Sequence, residues 1–136
     1  MNTHHHVQRV VLIDDSENDN FFHEIALRKA GFGGEVRIFE SGESALDFLL
    51  QDRVSVPTVV FLDINMPGCS GIELAQVIRL NQDWLRVPIT YLSSEQDEEK
   101  RALAMGRAGD DFLSKPLSDL ELITAVSVRA ARSRQL

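Results

Sequence analysis

The run Thr58-Val59-Val60-Phe61-Leu62 is almost continuously apolar, rich in β-branched and aromatic residues, and it stops at an acid, Asp63. A strand with one wet face alternates apolar and polar residues. A run without alternation reads as a strand covered on both faces, as in parallel α/β sheets. Asn65, Pro67, Gly68 and Gly71 then end the strand in a turn. Ligands of open α/β sheets bind at the carboxyl ends of the strands, which places Asp63 on the edge where chemistry is done. On this stretch alone, an ordinary strand-end Asp turning into a loop explains the pattern equally well.

The same grammar recurs along the chain. Val10 to Ile13 is a second apolar run, stopped by Asp14 and Asp15. Ser16 to Asn20 is polar, with Ser16 or Asn18 as helix caps, and a helix is predicted over about residues 17–30. Its apolar residues Phe21, Ile25 and Ala26 recur at helical spacing, and Gly31 is a natural stop. Val36 to Phe39 is a weaker strand, followed by a helix from Ser41 to Gln51 that carries Ala45, Leu46, Phe48 and Leu49. After the third strand comes a helix from Ser70 to Leu80, with Ile72, Ala75, Val77 and Ile78 apolar. Pro88 opens the run Ile89 to Leu92, which ends in Ser93 and Ser94. Glu95 to Arg107 reads as a charged helix, Asp111 to Leu113 as a fifth strand ahead of Lys115-Pro116, and Ser118 to Ala131 as a last helix. Leu122, Val126 and Ala130 line one face of that helix. Five strands alternating with five helices through short connections predict an α/β parallel sheet, doubly wound, with right-handed crossovers.

Composition narrows what such a sheet serves. The 136 residues suit one domain with one core, and 43% apolar with 26% charged residues is ordinary for a globular chain. The expected organisation is a flexible tail over residues 1–8, a domain over 9–133 and a short tail over 134–136. A net charge of −7 argues against nucleic acid or an anionic membrane as direct partner. No apolar run reaches the ~18 residues of a membrane helix. One cysteine, Cys69, allows no internal disulfide and agrees with a cytoplasmic location. His4, His5 and His6 precede the core-like residues without partner ligands nearby, as in a polar tail.

Four strand ends now offer a polar residue: Asp14 and Asp15, Asp63, Ser93, and Lys115. In a parallel sheet all four ends lie on one rim. Clustered acids repel, so they bind a cation or share protons. With no His or Cys among them, an all-oxygen site suits Mg²⁺, which takes one or two carboxylates together with a phosphate. A hydroxyl and a Lys beside it provide what the peripheral oxygens of a phosphoryl group need. The inferred chemistry is phosphoryl transfer to the carboxylate of Asp63.

The stretches Leu-Ile-Asp14-Asp15, Phe-Leu-Asp63-Ile-Asn65-Met66-Pro67-Gly68, Pro88-Ile-Thr-Tyr-Leu-Ser93-Ser94 and Asp111-Phe112-Leu-Ser-Lys115-Pro116 stand in this order along the chain. Together they resemble the receiver domain of two-component response regulators, of the stand-alone chemotaxis (CheY-like) type, over about Arg9 to Ala131. The resemblance implies a flavodoxin-like (βα)5 fold with strand order 2-1-3-4-5. By position it implies Asp63 as phosphoacceptor and Asp15, Asp63 and the backbone carbonyl of Asn65 as Mg²⁺ ligands, with Asp14 acting through water. Ser93 takes the place of the hydroxyl that bonds the phosphoryl group, Lys115 that of its counter-charge, and Phe112 that of the aromatic switch. Asn65 and Glu95 stand where phosphoryl lifetime is tuned, and their polarity predicts a fairly short lifetime. The implied partners are a sensor histidine kinase or phosphotransfer protein upstream and a further protein downstream. A partner or dimer face is expected on the fourth helix, fifth strand and fifth helix, where Leu120, Ile123 and Val128 lie off the buried stripe.

Other readings fit less well. A Mg²⁺-dependent phosphohydrolase usually needs a second acid two residues past the nucleophile, where this chain has Asn65. A flavin carrier needs a phosphate-cradling loop after the first strand, and Asp14-Asp15-Ser16-Glu17 would repel a phosphate. A receiver-fold interaction module that acts without phosphorylation is the remaining alternative. Trp84, Tyr91 and, by itself, Phe112 are most simply packing residues. Cys69 has no basic neighbour to activate it.

Overall fold

The computed structural model describes residues 7–51, 56–68, 70–93, 111–115, 117–118, 121–122 and 126. Strands β1 (Arg9–Ile13), β2 (Glu35–Phe39), β3 (Thr58–Asp63), β4 (Ile89–Ser93) and β5 (Asp111–Ser114) form one sheet in the order β2-β1-β3-β4-β5. Every neighbouring pair is parallel. Among the described residues, the helices between strands are α1 (Glu17–Lys29), α2 (Gly42–Gln51) and α3 (Gly71–Arg79), with a 3₁₀ turn over Gln82–Trp84. Among the described residues no helix is long and apolar enough to cross a membrane. The doubly wound architecture and strand order expected from the sequence are those observed.

Burial on both faces explains the unbroken apolar runs. All residues of β1, β3 and β4 are buried, whereas every residue of the edge strand β2 is exposed or half-buried. That is why β2 reads as the weakest strand. Val11, Ile13, Val60, Leu62, Ile89, Tyr91 and Phe112 pack on one side, against Ala45 and Leu49 of α2 and Leu74, Ala75 and Ile78 of α3. Val10, Leu12, Val59, Phe61 and Leu92 pack on the other, against Ala26 and Leu27 of α1 together with Leu117, Leu122 and Val126. Each buried Val, Leu, Ile or Phe among them contributes ~1.5–3 kcal/mol by leaving water. The packed chain starts before β1: Val7 is buried, and the Gln8 N–H donates to the Pro57 carbonyl at 2.9 Å.

Helix ends follow local chemistry. The Ser16 hydroxyl caps α1 by accepting from the Asp19 N–H, and the Ser70 hydroxyl caps α3 by accepting from the Glu73 N–H. At the far end of α1, Gly31 takes φ of 99°. Its N–H donates to Arg28 and that of Phe32 to Leu27, with Phe32 and Leu27 both buried in the same layer. This pairing closes a Schellman motif, for which the left-handed residue is best glycine. Ser118 and Glu121 cap the start of the last helix reciprocally, each side chain accepting from the other's N–H at 3.1 Å. Leu122 and Val126 of the expected stripe are buried. Ala130, Leu120, Ile123 and Val128, and the helix expected over 95–107, lie outside the described residues.

One expectation is corrected. Phe21 and Ile25 do not form the buried face of α1: they are 59% and 39% exposed, and the helix turns Asn20, His23, Ala26 and Leu27 inward. Spacing alone allows either phase. The Ser16 cap and a hydrogen bond from the Asn20 amide to the Asp14 carbonyl, at 2.8 Å, set the one adopted. Val77 of α3 is also turned outward, 43% exposed.

Candidate functional site

Sheet register brings the strand ends level. Ile13 of β1 pairs with Leu62 of β3, so Asp14 and Asp63 come abreast one residue further on. Ser93 pairs with Ser114, and the Lys115 N–H donates to the Ser93 carbonyl at 2.8 Å. Glycine is required behind this rim: a Cβ on Gly71 would lie 2.2 Å from the Asp63 carbonyl oxygen. Only the bare backbone lets the start of α3 sit against the end of β3.

Carboxylate oxygens of Asp14, Asp15 and Asp63 lie within 4.8 Å of one another. Asp14 and Asp63 are buried, whereas Asp15 is exposed and opens the cluster to solvent. The Asp14 carboxylate accepts from the Ser16 N–H at 2.9 Å, and that of Asp63 accepts from the Asn65 N–H at 3.0 Å. The Lys115 ammonium donates to Asp14 Oδ2 at 2.9 Å and to Asp19 Oδ2 at 2.7 Å, and stands 3.7 Å from Asp63 Oδ2.

Electrostatics follow from burial and crowding. The Asp63 carboxyl is pushed up to about 6, first by burial and then by the charge of Asp14 and a hydrogen bond with Asp15. The Asn65 N–H and the Lys115 charge pull it the other way. Burial alone would lower the Lys115 ammonium, but hydrogen bonds to Asp19 and Asp14 and the charges of Asp14 and Asp63 push it up to about 12. The lysine therefore stays cationic, and the acids stay short of neutralisation. A hard, all-oxygen set of this kind fits a small divalent cation.

At the next strand end, the Asn65 side-chain amide donates to the fully buried Ser93 hydroxyl at 3.0 Å. Phe112 is buried in the layer shared with α2 and α3, paired in register with Tyr91. Glu95, Cys69 and Pro116 lie outside the described residues. The sequence profile of the response regulator receiver domain matches residues 10–127. The chain belongs to the response regulator receiver domain family.

This receiver is similar in structure to the chemotaxis protein CheY4 of Vibrio cholerae, 25% identical, with a TM-score of 0.77 over 90% of this chain and 98% of that one. It shares the fold of a response regulator receiver domain protein from Clostridium thermocellum, 22% identical, with a TM-score of 0.82 over 95% of this chain and 98% of that one. In sequence it is 41% identical over 80 residues to an uncharacterized 76.5 kDa protein of Thiocystis violacea. That stretch is 59% of this chain and 12% of that protein's length.

Sequence reasoning placed the acids, Ser93 and Lys115 of this receiver on one rim but missed what α1 adds. Asp19 reaches Lys115, Asn20 holds the Asp14 carbonyl, and His23 is buried one turn beyond Asp19. The His23 imidazole is lowered by burial, partly offset by the charges of Asp14 and Asp19, while that of Lys115 adds to the lowering. The available signal was the Ser16 cap: counting from it, positions 19, 20 and 23 share one helical face.

Proposed function

We propose that this receiver is a phosphoacceptor switch whose nucleophile is Asp63. The observation that carries the reading is the meeting of Asp63 with two further carboxylates and the Lys115 ammonium at 3.7 Å. Asp14, Asp15 and Asp63 with the Asn65 carbonyl would hold Mg²⁺, and Asp14, already bonded to Ser16 and Lys115, would act through water. The chemistry supplied by that ion, when bound, is neutralisation of charge between the acids and the incoming phosphoryl oxygens.

An oxygen of the Asp63 carboxylate attacks phosphorus in line. The new O–P bond forms as the P–N bond to a donor phosphohistidine breaks, its electron pair leaving with the imidazole. Ser93 offers its hydroxyl and Lys115 its ammonium to the transferred group. Phe112 on β5 follows Ser93 and carries the change to the face formed with the neighbouring helices, where a downstream protein or a second copy docks. The donor is a sensor histidine kinase or phosphotransfer protein in the cytoplasm. The organisation proposed with this function is one receiver unit over 9–133 that signals by contact or onward transfer. The chain accelerates its own phosphorylation and dephosphorylation and turns over no other substrate.

The test is incubation with acetyl phosphate and Mg²⁺ followed by intact mass. Wild type gains one phosphoryl mass and Asp63→Ala gains none; gain by both, or by neither, overturns the reading. Asn65 and Glu95 are assigned to lifetime tuning, with the Asn65 amide beside Ser93. They lead to a fairly short-lived phosphoprotein, and persistence of the label for many hours in Mg²⁺ would contradict this.

A further inference from the structure

Lys115 is the cation that must reach a phosphoryl group on Asp63, yet its shortest contact is with neither strand-end acid. It is 2.7 Å from Asp19 on α1, 2.9 Å from Asp14 and 3.7 Å from Asp63. An ammonium has three donors, and here two are committed away from the nucleophile. Asp19 is held for this contact. Its own N–H is bonded to the Ser16 cap, and the next residue, Asn20, ties the helix to the Asp14 carbonyl. The Lys115 side chain is 9% exposed and that of Asp19 38%, so the pair is only partly screened by water.

We infer that Asp19 is a positioning residue that draws Lys115 towards α1 and so restrains phosphoryl uptake by Asp63. This rests on the phosphoacceptor reading above. For Lys115 to meet the incoming group, its contact with Asp19 has to lengthen. A carboxylate there therefore stabilises the resting protein relative to the transition state. Removing its charge leaves Lys115 between Asp14 and Asp63, where the phosphoryl oxygens arrive. No atom of Asp19 takes part in the bond changes: the Asp63 O–P bond forms, the P–O bond of acetyl phosphate breaks, and acetate leaves with the electron pair.

The experiment measures the initial rate of labelling of the full chain by acetyl phosphate at saturating Mg²⁺, with thermal unfolding of each variant alongside. Asp19→Asn should label about three- to tenfold faster than wild type, on the scale of one partly screened ion pair. Asp19→Glu, which restores the carboxylate, should return towards the wild-type rate. In a Lys115→Ala background, Asp19→Asn should change nothing, a non-additivity that a merely structural role would not produce. Should Asp19→Asn unfold, Asp19→Ser removes the same charge with a smaller side chain. An unchanged or slower rate, or the same acceleration without Lys115, overturns the assignment of Asp19 and leaves the phosphoacceptor reading standing. Failure of wild type to label overturns both.

Discussion

Two buried titratable groups beside this rim pull stability in opposite directions with pH. The Asp63 carboxyl titrates at about 6 in the folded chain against an ordinary 3.8, so the native state binds more protons than the unfolded chain between those values. Its stabilising effect is complete below the ordinary value and is lost as pH rises through the folded one, by on the order of 3 kcal/mol. His23 does the reverse: its folded value lies below 6.5, so the unfolded chain takes up the proton first and stability is lost as pH falls below 6.5. Asp63→Asn deletes the first slope and keeps the second. Without Mg²⁺ the variant should be more stable than wild type near neutral pH, with the gap closing towards about pH 4. Denaturant titrations across that range check this, and a gap independent of pH would sink it.

At the scale of elements, α1 does two jobs with two faces. Inward, Leu27 and Ala26 pack on the sheet while Asn20 and Asp19 reach the rim. Outward, Phe21 and Phe22 stand 59% and 64% exposed with ring centroids 6.0 Å apart. This phase makes a direct prediction about energetics. Leu27→Ala should cost about 2–5 kcal/mol, because it empties a fully buried site. Phe21→Ser and Phe22→Ser should each stay within about 0.5 kcal/mol, as surface changes do. Urea midpoints separate the cases, and a Phe21→Ser variant as unstable as Leu27→Ala would return the helix to the phase its spacing first suggested.

For the molecule as a whole, the rim acids are the place where function opposes folding. Packed strands on both sides hold Asp14 and Asp63 together although their charges repel. A cation that binds only the folded chain should therefore stabilise all of it, through linkage. Mg²⁺ should raise the melting temperature more at about pH 7.5 than at about pH 5, where Asp63 is largely protonated. Calorimetry with and without chelator checks this, and Asp63→Asn should lose most of the effect. The sheet and its rim were legible from residue order, because a strand buried on both faces has to be apolar throughout and parallel strands deliver their ends to one side. Thus Asp14, Asp15, Asp63, Ser93 and Lys115 could be grouped from sequence alone. The phase of α1, the hold of Asp19 on Lys115, the burial of His23 and the Asn65–Ser93 hydrogen bond were not legible there. Helical spacing is satisfied by more than one face, and a polar side chain finds its partner only after packing has selected which face turns inward.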